Sequence, residues 1–278
     1  MRLLLAALGL LVASSAFAAR VDTLDVPSAA MGRTVKVVVA VPEAAGRFPS
    51  VFLLHGAGGA YWNWPRRLDQ YGVGFGRLAD RFGLVLVAPD GGVESWYLDS
   101  PLDASSQMAT FVGDELPAWV DAQLPTLGER RYRAIVGLSM GGHGAFYLAL
   151  TRPQTFAAAS ALSGGIDLTT RTDSWGKARH LGPYAADTSL WNAHSVYQIV
   201  RDRPAPDPMP ALMLDCGIED VFAPANRRLH ALLMDRKIAH DYVERPGGHN
   251  WSYWTRTLPY TLTFFRETFD AVRPALTR

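Results

Sequence analysis

The sequence predicts an α/β protein, a mostly parallel central sheet with helices on both faces. Three observations carry this. Short β-branched or apolar runs alternate with stretches of helical spacing along most of the chain. Glycine, proline and aspartate clusters close those runs. The length, 278 residues, and a hydrophobic content of 49% suffice for one sizeable core and leave little room for two. Crossovers in such a sheet are right-handed, and ligands bind beyond the carboxyl ends of its strands, so residues just past each predicted strand are where chemistry is expected.

Residues 1–18 read as an address rather than as structure. Arg2 supplies charge, residues 3–12 are apolar, and Ala16-Phe17-Ala18 fits small-x-small cleavage chemistry. The apolar run is short for a bilayer span, and no other uninterrupted run approaches one, so no stable membrane insertion is expected. The expectation is an exported protein, periplasmic or secreted, that starts at Ala19; a retained anchor is the alternative. Residues 19–278 are then a single domain.

The β-branched run at 34–41, ending at Pro42, and the apolar run at 51–54, ending in His55-Gly56, read as strands. The aromatic stretch Tyr61-Trp62-Asn63-Trp64 reads as loop, followed by a helix over 75–82 and a strand over 84–88 that stops at Pro89-Asp90-Gly91-Gly92. Residues 108–124 have helical spacing, with Pro117 either kinking the helix or marking its first turn. A strand at 134–138, a helix at 141–150 and a strand at 156–162 follow. From 166 to 210 the pattern loosens into an excursion that is expected to cover a site. The alternation resumes with a strand at 211–215, a helix at 224–235, a strand at 241–244 and a last helix at 260–272.

Lys and Arg total 27 against 26 Asp and Glu, so nothing in the charge points to nucleic acid or an anionic membrane as a partner. The lone cysteine, Cys216, excludes an internal disulfide and reads as a small core residue. No CxxC or Cys/His cluster offers a metal site, and no metal and no organic cofactor is expected.

Chemistry concentrates in three segments. Gly137-Leu138-Ser139-Met140-Gly141 lies between a predicted strand and a predicted helix, as the nucleophile elbow of an α/β-hydrolase requires. A serine hydroxyl is a weak nucleophile until a base takes its proton. Of seven histidines, His249 in Gly247-Gly248-His249-Asn250 follows the last predicted strand and is the candidate base. His143 is too near the elbow in sequence, and His180, His194, His230 and His240 need no functional explanation. The acid falls between serine and histidine in this fold. Asp220, past the strand at 211–215, is preferred over Asp215, inside that strand, and over Glu219; its bland role would be to cap the next helix. Two N–H donors must face the oxyanion: Met140, after the nucleophile, and Ala57, in His55-Gly56-Ala57-Gly58-Gly59. His55 reads as a brace for that loop. Among the aromatic residues near these loops, Trp96 is the candidate substrate-binding wall, while Trp62, Trp64, Tyr97, Trp251, Tyr253 and Trp254 serve as core or wall.

Together these residues resemble the esterase D family of α/β-hydrolases, which includes S-formylglutathione hydrolases, short-chain and feruloyl esterases and relatives of the mycobacterial mycolyltransferases. The resemblance rests on Leu53-Leu54-His55-Gly56, Ser95-Trp96-Tyr97-Leu98-Asp99-Ser100-Pro101, Gly137-Leu138-Ser139-Met140-Gly141-Gly142, Cys216-Gly217-Ile218-Glu219-Asp220 and Gly247-Gly248-His249-Asn250-Trp251. It implies an α/β-hydrolase fold, a triad of Ser139, Asp220 and His249, and an oxyanion donor in the His-Gly-x loop. S-formylglutathione hydrolases are normally cytosolic, so the leader speaks against that branch, and the 166–210 excursion lies where such families differ most. The leading expectation is a serine carboxylic-ester hydrolase acting through an acyl-enzyme on a small-molecule, glycan or lipid ester. The alternative is acyl transfer to a sugar or lipid hydroxyl. A non-catalytic carbohydrate- or lipid-binding relative is a third reading, disfavoured because all three triad residue types are present.

Overall fold

A computed structural model describes residues 18–272 of the chain; the expected leader lies outside them, apart from Ala18. Eight strands form one sheet: β1 (Arg20–Ser28), β2 (Arg33–Val41), β3 (Ser50–Leu54), β4 (Val85–Pro89), β5 (Arg133–Leu138), β6 (Ala158–Leu162), β7 (Ala211–Gly217) and β8 (Asp241–Arg245). Their spatial order is β1-β2-β4-β3-β5-β6-β7-β8. β1 and β4 both run antiparallel to β2, and every pairing from β4 through β8 is parallel. This is the mostly parallel sheet the alternation implies.

Side chains alternate faces along a strand. In β3, Phe52 and Leu54 join one buried cluster with Phe111, Phe146 and Leu229, while Val51 and Leu53 join another with Leu68, Leu78 and Phe265. Helices therefore cover both faces. α1 (Asn63–Gln70), α2 (Phe75–Phe82) and α10 (Trp251–Ala271) lie on the second. On the first lie α3 (Met108–Thr110), α4 (Leu116–Gln123), α5 (Met140–Thr151), α8 (Val196–Asp202) and α9 (Ala223–Asp235).

Three elements differ from the sequence expectation: α10 starts at Trp251 rather than at 260 and carries Pro259 inside it, and β1 and α1 are not among the expected elements. β1 is an added edge strand. It pairs with β2 along its whole length, yet most of its side chains meet solvent, which leaves little hydrophobic pattern to detect. The aromatic stretch at 61–64 is not all loop, because α1 begins at Asn63. Pro65 sits in its first turn, where a missing N–H costs nothing, and Trp64 and Leu68, four apart, bury together. Around Pro117 the chain uses a π-helical turn, Phe111–Glu115, in which the Leu116 N–H reaches back to the Phe111 carbonyl. Pro117 then falls in the first turn of α4. The ring is thereby accommodated without a break.

The excursion after β6 folds into α6 (Lys177–Leu181), α7 (Thr188–His194) and α8, and α8 packs against α5 and α9. At its centre Lys177 is 3% exposed. Its Nζ donates to the Leu168 and Thr170 carbonyls at 3.4 and 2.7 Å and lies 5.3, 5.8 and 5.9 Å from the ring centroids of Trp96, Trp175 and Trp191. Carbonyl oxygens and aromatic faces thus receive the charge in place of water. Burial nonetheless lowers the Lys177 pKa from 10.5 to about 8, with Asp167 opposing the shift.

A lysine whose folded pKa is depressed binds fewer protons in the native state between the two values, so stability rises with pH across that window. Wild-type protein should gain unfolding free energy between about pH 8 and pH 10 relative to Lys177→Met. Denaturant titrations of both proteins at the two pH values check this, and parallel behaviour would remove Lys177 as the cause.

Candidate active site

The elbow is built from backbone first. Ser139 has φ 56° and ψ −116°, a conformation few non-glycine residues adopt. It is held by three backbone hydrogen bonds: its N–H donates to Leu162 at 3.0 Å, and its carbonyl accepts from Gly165 at 3.0 Å and His143 at 3.2 Å. The flanking glycines are needed for clearance. A Cβ on Gly137 would stand 2.1 Å from the Gly141 carbonyl oxygen, and one on Gly141 would stand 2.4 Å from that of Leu54. The turn is tight enough that strand, helix and the end of β3 touch through backbone, which raises Oγ above the carboxyl edge of the sheet.

The acid and base come from two loops joined by a continued ladder. β7 and β8 pair in parallel up to Gly217 and Arg245. Beyond the strand ends, the Ile218 N–H donates to Arg245 and the Glu219 N–H to Gly247, at 3.0 and 3.1 Å. Asp220 and His249 are thereby brought face to face. The fully buried Asp220 carboxylate lies 2.9 and 3.0 Å from His249 Nδ1, and its Oδ1 also accepts from the Phe222 N–H at 2.8 Å. His249 Nε2 stands 3.0 Å from Ser139 Oγ. With Nδ1 against a carboxylate, the ring proton belongs there and Nε2 is left to accept from the serine hydroxyl. The imidazole is packed edgewise by Trp254 and Phe222, with centroids 4.9 and 5.2 Å away.

The rival carboxylates are elsewhere. Asp215 is buried in β7 and accepts from Arg245 and the Tyr253 hydroxyl, while Glu219 is exposed. Cys216, beside them in β7, is buried. His143 is buried on α5, with its ring nitrogens 3.1 and 2.9 Å from the Trp96 and His194 carbonyls, and burial pushes its pKa down to about 4. His55 accepts from the Gly91 N–H at Nε2 and lies against the Gly56 carbonyl at Nδ1, tying its loop to the end of β4. His230 and His240 pair with each other, away from the cavity.

A cavity of about 640 Å³ opens onto Ser139 and His249, and Ala57 lines it. Among the described residues neither the Ala57 nor the Met140 N–H makes a hydrogen bond, and Met140 begins α5, where the first N–H groups point out of the helix. Both N–H groups are thus left without a protein acceptor; Ala57 lines the cavity, and Met140, buried directly after Ser139, does not.

Trp96 requires correction. It is 2% exposed and does not line the cavity. Trp96 and Tyr97 adopt φ 54° and 58°, which turns both rings into the core. The Trp96 indole N–H donates instead to the Trp175 carbonyl at 2.9 Å, and Trp175 is the residue that reaches the cavity. The wall is made by Trp62, Tyr71, Trp175, Trp251 and Trp254. Trp175 and Tyr71 were not singled out by sequence; no period marks them, and only their place beside glycine-rich loops hints at a site.

Variants should separate the three carboxylates. Asp220→Asn should lose about ten-thousand-fold in turnover, the scale of a triad whose histidine is held in the wrong tautomer. Glu219→Gln should stay within roughly tenfold of wild type, whereas Asp215→Asn should lower stability by about 1–3 kcal/mol through its unpaired partners. Turnover and melting temperature measured on all three check the set. A separate clearance test is Gly141→Ala, which should cost at least about 1–3 kcal/mol because backbone, not a movable side chain, meets the new methyl.

Comparison with known proteins places the chain by family and by fold. The chain is 25% identical over 233 residues to an acetyl esterase of Caldicellulosiruptor saccharolyticus, covering 80% of this chain and 84% of that protein. It is 29% identical over 210 residues to the S-formylglutathione hydrolase of Bos taurus, covering 68% and 71%. In structure it matches FphF, a fluorophosphonate-binding serine hydrolase of Staphylococcus aureus, with a TM-score of 0.77 over 89% of this chain and 98% of that one, at 20% identity. The match in fold establishes an α/β-hydrolase sheet. Residues 28–265 match the family described as "Putative esterase", and the chain belongs to this esterase family.

Proposed function

We propose that this carboxylesterase works through an acyl-enzyme on Ser139, with His249 as general base and Asp220 as the carboxylate that orients it. The observation that carries the reading is the continuous relay from Asp220 through His249 to Ser139, with contacts of 2.9 and 3.0 Å. Ser139 Oγ attacks the ester carbonyl as its proton passes to Nε2. The buried Asp220 stabilises the imidazolium that forms, and the N–H groups of Ala57 and Met140 receive the oxyanion. The imidazolium then protonates the departing alkoxide. Water, deprotonated by the same nitrogen, releases the acid and restores the serine. Nothing in this cycle calls for a metal or an organic cofactor.

Export is part of the same proposal. Among the described residues no helix is long and apolar enough to cross a membrane. The Ala19 nitrogen lies 2.7 Å from Asp80 Oδ2. Cleavage after Ala18 would place a new ammonium on that carboxylate, converting an amide hydrogen bond into an ion pair.

Ser139→Ala should abolish turnover of a para-nitrophenyl ester panel, on the order of a million-fold, without lowering the melting temperature. A fluorophosphonate probe should label wild type at Ser139 and fail on His249→Ala. Residual activity within tenfold of wild type, or undiminished labelling of the His249 variant, would reassign the nucleophile or the base. For export, mass spectrometry of protein recovered from the native host should give Ala19 as the first residue; an intact Met1 in the cytoplasm would contradict it.

A further inference from the structure

We propose that Arg67 forms a carboxylate subsite in the active-site cavity, so that the preferred esters carry a carboxylate on the acyl or the alcohol portion. The inference rests on the ester hydrolysis proposed above and names the class of ester. Arg67, from α1, is the one permanently charged side chain among the described residues lining the cavity that holds Ser139 and His249. No Asp or Glu lines that cavity, and no described carboxylate forms an ion pair with Arg67.

The guanidinium is half committed. Nη1 donates to Gln70 Oε1 at 2.8 Å, which fixes the plane from one side. Nε is buried with no hydrogen-bond partner, and Nη2, which shares its edge, makes no hydrogen bond among the described residues. That edge is the one suited to two parallel bonds with a carboxylate. Arg227 shows the pairing in this same molecule, holding Glu244 through Nε and Nη2 at 2.7 and 3.1 Å. Nη2 is open to a carboxylate as the side chain stands; Nε, buried and without an acceptor, carries a desolvation cost that a second, parallel bond removes once the groups covering it shift.

The surroundings fit an organic anion. Arg67 Cζ lies 5.9 Å from the Trp251 ring centroid, so the fork is steadied by an indole that itself lines the cavity. Trp62, Tyr71 and Trp175, exposed by 41%, 45% and 36%, offer apolar faces at the same opening. The rings take the carbon skeleton and the fork takes the charge. A helix-surface arginine that merely bonds Gln70 three residues on would have no such dependence on what enters the cavity.

Matched ester pairs test this. para-Acetoxybenzoate against para-acetoxybenzamide places the charge on the alcohol side, and para-nitrophenyl hydrogen suberate against para-nitrophenyl octanoate places it on the acyl side. Binding is measured calorimetrically to Ser139→Ala protein, and kcat/KM to wild type. In at least one pair the carboxylate should be preferred by about tenfold in both measurements, and the preference should collapse towards one in Arg67→Met. Arg67→Lys, which keeps the charge and loses the fork, should fall between them, and melting temperatures confirm that each variant folds. Equal binding within both pairs, or a preference that survives Arg67→Met, overturns the inference. If wild type cleaves none of the four esters while Ser139→Ala protein still selects the carboxylates, the hydrolase reading falls and the Arg67 subsite stands.

Discussion

The site depends on one backbone constraint, the positive-φ turn at Ser139. Such a conformation costs on the order of 1–3 kcal/mol and persists only where the surroundings over-determine it. Here the surroundings are backbone from four directions: Leu162, Gly165, His143 and the end of β3. Because peptide groups rather than side chains do the holding, the position of Oγ is as rigid as the central strands themselves. The same turn starts α5 directly after the serine, which leaves the Met140 N–H free, and packs the elbow against the Leu54-His55 segment that leads to Ala57. The Ser139 turn, the unpaired Met140 N–H and the approach to Ala57 are one construction.

What could be read in the sequence follows from range. The elbow, the acid loop and the base loop each lie within a few residues of a strand end; β5 and β7 are largely apolar runs buried along their length, so local pattern suffices for them, while β8, a part-exposed edge strand, is legible only from its place in the alternation. β1 was not legible because an edge strand with a solvated face has little hydrophobic signal. α1 was obscured by Pro65 and by clustered aromatic residues that resemble loop until the burial of Trp64 and Leu68 is known. The Trp96 error has a different cause. Whether an indole faces a cavity or the core depends on backbone dihedrals, and the two positive-φ residues Trp96 and Tyr97 pack against Gly91 nearby and against Gly144 and Gly165, which are distant in sequence.

The substrate wall has a hidden dependency of its own. Trp175 lies in the irregular stretch before α6, and what holds it there is the Trp96 N–H together with the ring of indoles around Lys177. A buried amine is an expensive anchor, yet it ties two carbonyls and three aromatic rings at one point. The segment from 166 to 210 is thus tied to Ser95–Ser100 at two points, the Trp96 N–H and the Ser100 hydroxyl, which donates to the His180 carbonyl at 3.1 Å, so the wall at Trp175 is held by the core rather than by the elbow beneath it.

Cys216 bears on how motion near the acid would be observed. The thiol sits in β7, one residue before Gly217 and the loop to Asp220, and burial and the neighbouring Asp220 push its pKa upward. Thiolate, the form that reacts, is therefore scarce in the closed molecule. A strand side chain points out of the sheet face, and on the face shared with Leu212 and Leu214 lies α9, so an alkylating reagent reaches the thiol only when that packing opens; because the chain has a single cysteine the label has one address. The protein carries its own clock for the opening of the packing over β7, the strand that leads to Asp220, readable as the slow arrival of one adduct mass under native conditions.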